Sequence, residues 1–401
     1  MPDDTLNPNF SIRVGDTELE AGVRALIESV EYESADGIAD VAKIVAKNPN
    51  FILSDRTVLA PGNEVSIFMG YGGELSHIGR VRIYKVRPTF PQAEMPTIEI
   101  TGYTRDHEMM HNSPPQAAPA GRAGGRRRGA RRAQSQSGRR FRNLKYSEAV
   151  EQRAADYNFS TDIDPTPEAP TDFIQKAGMS DYDFVNGLAN LTGFLFWVDG
   201  DENGEWTLHF KDPERLNEQE TRYRFEYNLG DLSTLFQFQP EFLVSEAIAQ
   251  IRVRVQDPTT GQVFEAEFTE DNLEGSPELL FDPSADLETE TVEMAPETAT
   301  AVQLYIGDYS FEEITNRRFA SEADAVRWAR QWFRRSRENF IQARGFAIGV
   351  EAVRARQVHE VNGVGIMYDG LYYFSRVKHR CDGQDGYTID FNGRKQTPRV
   401  P

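Results

Sequence analysis

The segments GRVRIYKVR (residues 79–87) and TIEITG (residues 97–102) decide the fold, because both recur near the end of the chain. At a constant shift of 291 residues they coincide with GLYYFSRVK (residues 370–378) and TIDFNG (residues 388–393). Six residues are identical over the 31 positions from 72 to 102, whereas ordinary residue usage gives about two. Two unrelated β-meanders can share an alternating pattern, but the equal spacing of the two segments favours a true repeat. The identical residues of the first copy are Gly72, Gly79, Val86, Thr97, Ile98 and Gly102.

The repeat predicts an antiparallel β-domain at each end of the chain. In the first copy, EVSIFMGYGG (residues 64–73) places alternate apolar residues on one face and ends in glycines, as half-buried strands do. The turn sequence at residues 60–62, Ala-Pro-Gly, fits a hairpin or meander connection. Three such chains would present six similar units around one axis.

Helical signals and a second class of hairpin occur between the two copies. A helix is expected from residue 147, and another from Ser180 or Asp181 to Gly193. FLFWVDGDENGEWTLHF (residues 194–210) is typical of a hairpin, so this segment predicts an α+β domain. A further hairpin is expected at residues 248–268, and a helix with an aromatic face from Ser321.

Composition indicates a folded protein without a disulfide framework. The 401 residues are 39% apolar and 11% aromatic, which is enough for a large core. The single cysteine, Cys381, excludes an intrachain disulfide and fits assembly in a reducing cytoplasm. The polar N-terminus and the lack of a long apolar run predict neither a secretion signal nor a membrane span.

Charge is distributed very unevenly along the chain. The formal net charge is −19, yet residues 122–142 contain nine arginines and no acidic residue, which leaves −28 on the rest. An acidic surface of this kind repels nucleic acid, although a high-salt habitat is an alternative origin for it.

The arginine run has three interpretations: a nucleic-acid arm, a docking element for an acidic neighbour, or a solvated loop. It lacks interleaved aromatic residues for base stacking. Because charged low-complexity segments commonly fold on a partner, the docking interpretation is favoured. The candidate docking residues are Arg126, Arg127, Arg128, Arg131, Arg132, Arg139 and Arg140.

HEMMH (residues 107–111) matches the zinc-protease pattern H-E-x-x-H. That pattern needs a helix, but here it follows a strand closely and leads into Asn-Ser-Pro-Pro, which leaves little room for one. A cell-wall hydrolase would need a particular carboxylate pair, and 63 acidic residues single out none. No phosphate-binding loop or nucleophile elbow is present. The sequence therefore predicts no catalytic residue, metal or cofactor.

The order of these features resembles the central hub proteins of contractile tail baseplates: the phage late control D family and the N-terminal part of VgrG proteins. APGNEVSIFMGYGG (residues 60–73) and HIGRVRIYKVRPTFPQAEMPTIEITGYTRDHEMM (residues 77–110) carry the resemblance near the start. DFIQKAGMSDYDFVNGLANLTGFLFWVDGDENGEWTLHF (residues 172–210) and VNGVGIMYDGLYYFSRVKHRCDGQDGYTIDFNGR (residues 361–394) extend it over nearly the whole chain. The arginine run is unusual for the family, so no family role applies to it.

The resemblance implies a mainly β fold with α+β insertions. It implies two tube-type antiparallel β-barrel domains per chain, which form a pseudo-hexameric ring in a homotrimer. The expected domains are a first tube-type barrel at 1–106, an Arg-rich low-complexity loop at 107–146 and an α+β domain at 147–212. A second tube-type barrel is expected at 213–256 and 321–401, with an acidic inserted excursion at 257–320.

The function implied is a structural, non-enzymatic baseplate hub that joins the sixfold tail tube to a trimeric central spike. The expected partners are the tail tube or its initiator, a separate spike protein, baseplate wedge proteins and, as a further candidate, a tape measure protein. The protein would assemble in the cytoplasm and reside in a virion tail baseplate or a contractile injection particle. The alternatives are a zinc-dependent or cell-wall hydrolase at the tail tip and an Arg-rich nucleic-acid-binding protein.

Overall fold

The computed structural model describes most of the two repeat copies and of the segment between them. Of the candidate docking residues, Arg126, Arg127, Arg128, Arg131 and Arg132 lie outside the described residues. The described residues are 7–15, 17–55, 58–113, 138–166, 172–213, 222–228, 230, 233–242, 250–256, 263–269, 311–314, 326, 328–329, 332, 341–365 and 367–395.

The described chain is mainly antiparallel β, as the sequence predicts. Four helices accompany the strands in these residues, and none of them is long and apolar enough to cross a membrane. The helices are α1 (Ala21–Arg24), α2 (Asp106–His111), α3 (Tyr146–Asp156) and α4 (Asp181–Thr192), with a 3₁₀ turn at Pro49–Phe51. The strands are β1 (Pro8–Val14), β2 (Thr17–Glu18), β3 (Ile27–Ala35), β4 (Val41–Lys47), β5 (Glu64–Tyr71), β6 (Glu74–Thr89), β7 (Thr97–Tyr103), β8 (Arg139–Arg142), β9 (Ser160–Ile163), β10 (Asp172–Gln175), β11 (Leu195–Gly200), β12 (Trp206–Lys211), β13 (Arg224–Glu226), β14 (Leu235–Phe242), β15 (Gln250–Gln256), β16 (Val263–Thr269), β17 (Phe311–Ile314), β18 (Ile341–Ile348), β19 (Gln357–Asn362), β20 (Gly370–Asp382) and β21 (Gly386–Lys395).

Strands of both repeat copies share one large sheet. Its order is β14-β18-β21-β20-β3-β4-β7-β6-β5-β1-β2, with β19 and β13 attached at β20. The second copy therefore occupies one end of this path and the first copy the other. The two copies meet where β20 pairs with β3.

The strand registers confirm the predicted repeat. In the first copy Val86 pairs with Ile100 between β6 and β7, and 291 residues later Val377 pairs with Phe391 between β20 and β21. The two pairings also slip at the same place, between Ile83 and Lys85 in β6 and between Phe374 and Arg376 in β20. A shared bulge position requires the same local backbone path, which alternation alone does not impose.

A second pair of hairpin strands extends the correspondence. The β3/β4 pairing slips between Ile27 and Ser29, and the β14/β18 pairing slips between Leu235 and Gln237. The two residues that flank the slip in β14 each lie 208 residues after the residues that flank the slip in β3. The strands β3, β4, β7 and β6 thus correspond one by one to β14, β18, β21 and β20.

Two insertions separate the copies and interrupt the second one. The α+β domain lies between β7 and β13, and its helix α4 begins with Ser180 as N-cap and ends at left-handed Gly193, as predicted. The predicted hairpin at residues 248–268 is also present, as β15 and β16. It forms a separate sheet with β17, so residues 250–256 pair outside the sheet of the second copy to which the sequence assigned them. Alternation predicts a hairpin but does not say which sheet it joins.

Each part has its own apolar core. The first copy packs Ile12, Val30, Ile67 and Met69 among others, and the second copy packs Phe225, Phe374 and Phe391. The α+β core includes Phe141, Phe184 and Phe210. Of the helix predicted from Ser321, Trp328 and Ala329 are buried and Trp328 stacks on Trp332, while most of that segment lies outside the described residues.

Candidate functional site

The junction between the two copies is an antiparallel ladder of β20 against β3. Seven residue pairs run from Arg376 opposite Ala35 to Asp382 opposite Ser29. On the polar face, Arg376 donates two hydrogen bonds of 2.7 Å to the carboxylate of Glu33. These bonds lower the pKa of Glu33, so the bidentate pair is charged at neutral pH. Lys378 adds an ion pair of 2.9 Å with Glu31.

The opposite face of the junction is buried. The ring of His379 lies between the hydroxyl of Tyr387, at 2.9 Å, and the carbonyl of Val353, at 2.8 Å. Burial, aided by the charge of Arg354, lowers the pKa of His379 to about 3, so its ring is neutral. Cys381 is 3% exposed, and burial raises the pKa of its thiol to about 11. This cysteine is a packing residue in the junction.

The same strand edge is open in the first copy. In β20 one edge is shared by β19, along residues 370–374, and by β3, along residues 376–382. In β6 the corresponding edge pairs with β5 along residues 74–82, and no strand in the described part of the chain pairs with residues 85–91 on that edge. Phe90 is accordingly 58% exposed, whereas Cys381, its counterpart 291 residues later, is 3% exposed.

Strand β14 presents the complementary open edge. Its counterpart β3 pairs with β4 on one side and with β20 on the other. Within the described residues β14 pairs with β18 alone. Within the described residues, the chain therefore has one joined junction, between β20 and β3, and two open edges, one on β6 and one on β14.

Arg356 ties the α+β domain to the junction. Its backbone is left-handed (φ 67°), and its guanidinium contacts the carboxylate of Asp40 at 3.2 Å and the ring of Trp197 at 5.1 Å. His209 stacks on Trp197 at 4.6 Å, and its two ring nitrogens lie 3.0 Å from Asp162 and from Asp199. Since Arg356 belongs to the second copy and Asp40 to the first, this cluster connects all three parts.

The HEMMH segment forms a helix, contrary to the sequence expectation. Helix α2 is stabilised by the burial of Met109, and such packing allows a helix too short to be stable alone. The rings of His107 and His111 lie 4.8 Å apart. The carboxylate of Glu108, however, forms ion pairs with Arg82 and Arg105. The described residues contain no group of three or more potential metal ligands.

Two candidate docking arginines are part of strand β8. Arg139 forms ion pairs with Asp181 at 3.2 Å and with Asp156 at 3.6 Å, both in the α+β domain. Arg140 lies opposite Ile174 in the pairing of β8 with β10. At least Arg139 therefore has an intramolecular structural contact, which the low-complexity composition around it did not predict.

Sequence reasoning did not single out the charged junction residues. Their signal is a complementary alternation, with acidic residues at 31 and 33 in β3 and basic residues at 376, 378 and 380 in β20. It becomes meaningful only when the two segments are known to be neighbours.

The fold is similar to those of solved tail proteins. No family model matches it, and no curated protein is similar to it in sequence. A tail protein from Neisseria meningitidis MC58 aligns over 98% of both chains with a TM-score of 0.63 and 11% identity. The 43 kDa tail protein of prophage MuSo2 from Shewanella oneidensis gives a TM-score of 0.63 and 12% identity over 96% of this chain and 98% of that chain.

A third solved structure extends the similarity to secretion systems. It is an E. coli component of the type VI secretion system, described as structurally similar to the T4 bacteriophage tail proteins gp27 and gp5. It gives a TM-score of 0.54 and 9% identity over 97% of this chain and 80% of that chain. At these identities the comparisons show a common fold.

Proposed function

We propose that this protein is a structural baseplate hub, in which three copies form a ring that joins a sixfold tail tube to a trimeric spike. The observation that carries the proposal is the doubled β-unit, whose two copies share register and bulges and are already joined edge to edge. Each chain supplies two similar units and, in the part that the structure describes, leaves one edge of β6 and one edge of β14 open. A head-to-tail ring of three chains then has six similar units and threefold symmetry.

The shared fold supports the setting of this hub. Tail proteins and a type VI secretion component adopt the same fold over nearly the whole chain. The partners proposed are the tail tube or its initiator, a separate central spike, wedge proteins and, as a further candidate, a tape measure protein. The proposed location of the protein is a virion tail baseplate or a contractile injection particle, which assembles in the cytoplasm. The role is mechanical and not enzymatic.

The Arg-rich segment has a separate proposed role as a docking element for an acidic neighbour. The net charge of −28 outside residues 122–142 provides such a neighbour within the trimer itself, and an adjacent baseplate protein is another.

The trimer is tested by measuring mass in solution and by negative-stain imaging. We expect a species of three times 45.4 kDa and a ring with an axial opening. Metal analysis of the same sample, alongside His107→Ala, addresses the hydrolase alternative. A stable monomer with stoichiometric zinc that is lost on this substitution would contradict the hub and favour the enzyme.

A further inference from the structure

We infer that the open edge of β6 in one chain pairs with the open edge of β14 in the next chain, in the register that β20 and β3 use within one chain. The partner is a second copy of this protein. The inference rests on the proposed ring and specifies the surface that closes it.

The register follows from the two residue shifts. β20 corresponds to β6 at a shift of 291, and β3 corresponds to β14 at a shift of 208. Within the chain, Cys381 lies opposite Val30 and Lys378 lies opposite Glu33. Subtracting 291 from the first residue of each pair and adding 208 to the second places Phe90 opposite Phe238 and Arg87 opposite Glu241.

Charges on the polar face are complementary in this register. Within the chain, Glu33 lies opposite Lys378 and diagonal to Arg376, with which it forms the bidentate pair. The corresponding acidic residue of β14 is Glu241, which is exposed. Lys85 and Arg87, both exposed, take the positions of Arg376 and Lys378. The transferred register therefore gives Glu241 two basic neighbours, as Glu33 has.

The other face becomes apolar. Phe90 is 58% exposed in the single chain, and the partly buried Phe238 comes opposite it. Burial of two aromatic side chains against each other is a large favourable term in strand pairing. The corresponding residues of the internal junction, Cys381 and Val30, are buried in the core of the first copy.

Two prolines interrupt the ladder in this register. Pro88 and Pro240 come opposite one another, at the positions of His379 and Tyr32. The backbone carbonyl of Ser375 accepts a hydrogen bond from the N–H of Asp36. Because every second residue of an antiparallel strand directs its backbone groups toward the same neighbour, those of His379 and Tyr32 also point across the junction. Neither proline has an N–H group, so this step lacks both ladder bonds, leaves two carbonyl groups unpaired and requires the strands to separate locally around the two rings. A slip by two residues would place the two proline rings at two separate steps, each with its own steric disturbance.

Cysteine cross-linking tests the register on the full chain. Phe90→Cys in one chain and Phe238→Cys in another place two Cα atoms at the separation of directly opposed residues, about 4.5–5.5 Å, which suits a disulfide. We expect a mixture of the two single variants to form covalent dimers on oxidation, and each variant alone to form none. The double variant should form covalent trimers. Phe90→Cys mixed with Phe236→Cys is the control, because Phe236 lies in the bulge between Leu235 and Gln237 and packs on Phe346, on the opposite face from Phe238.

A charge exchange supplies an independent measurement. Glu241→Lys should raise the concentration needed for half-maximal trimer formation about tenfold, because like charges then face each other. Adding Lys85→Glu and Arg87→Glu to the same chain should restore assembly. A wild-type trimer that gives no cross-link in the mixture, and no rescue, would overturn the register while leaving the ring proposal in place. A wild-type chain that is monomeric at every concentration would overturn both.

Discussion

At the scale of single residues, two histidines show how burial and partners decide charge in opposite directions. His379 is enclosed in the junction with no acidic partner, and burial keeps it neutral. Burial also favours the neutral ring of His209, but hydrogen bonds and charges from Asp199 and Asp162 outweigh it and raise its pKa. The charged groups facing this ring are those two aspartates, and Trp197 stacks on it.

His379 should make the protein less stable as the pH falls. Its pKa is about 3 in the fold against an ordinary value of 6.5, so below pH 6.5 the unfolded chain takes up a proton that the folded chain does not. Between pH 6.5 and 4.5 this lowers the free energy of unfolding by about 2–3 kcal/mol. His379→Gln keeps a donor for the carbonyl of Val353 and should flatten that fall, as measured by urea denaturation across this range.

His209→Gln is the matched control for this pH series. Because the folded pKa of His209 is raised, its stabilisation is present below pH 6.5 and is lost as the pH rises through the folded value. Its removal should lower the free energy of unfolding by a nearly constant amount below pH 6.5, and so leave the slope between pH 6.5 and 4.5 nearly unchanged. An unchanged slope in His379→Gln would show that this ring is already protonated in the fold.

At the scale of elements, local signals predicted what a segment forms, and packing decided what it joins. Ser180 and Gly193 bound α4 because a side-chain cap and a left-handed glycine act within one helical turn. The hairpin β15–β16 was likewise predictable, but its place in a separate sheet was not. Helix α2 was missed because its stability comes from the burial of Met109 in the α+β core.

The close approach of β6 to β3 gives a prediction for two glycines. A Cβ atom on Gly79 would lie 2.1 Å from Cζ of Tyr32, a buried ring that hydrogen-bonds to Asp40. Gly79→Ala should therefore lower the thermal midpoint, with a cost of about 1–3 kcal/mol from overpacking. Gly73→Ala is the control, because a Cβ atom there meets nothing within 4 Å. Equal midpoints for the two variants would contradict this packing.

At the scale of the whole molecule, the open edges matter more than any single contact. A long unpaired strand edge with exposed aromatic residues is an aggregation hazard unless another chain covers it. Phe90 and Phe236, 58% and 50% exposed, lie on or beside the two open edges. The proposed pairing of β6 in one chain with β14 in the next would cover both of these edges.

Replacing residues 114–137 with a Gly/Ser linker of equal length should leave the trimer mass and the thermal midpoint unchanged. None of the junction or open-edge residues described above lies in this segment. The same variant should bind an acidic polypeptide such as polyglutamate at least tenfold more weakly at low salt, because it loses six arginines. Mass and binding are both measurable on purified protein.

Phe141→Ala provides the contrast for this replacement. Phe141 stacks on Phe173 and Phe184 at 5.0 and 5.1 Å, so its truncation should cost about 3–5 kcal/mol and lower the midpoint. Loss of the trimer in the linker variant would show that residues 114–137 are structural and that docking is the wrong role.

The sequence by itself determined the β class, the repeat at a shift of 291 and the principal hairpins and helix caps, because these depend on alternation and on turn and cap residues within a few positions. Only the tertiary structure decided that β20 joins β3, that β15–β17 stand apart and that β6 and β14 keep open edges. Those outcomes depend on strands hundreds of residues apart. The free energy of such pairings comes from edges and faces that become neighbours only after the chain has folded, so no local pattern encodes them.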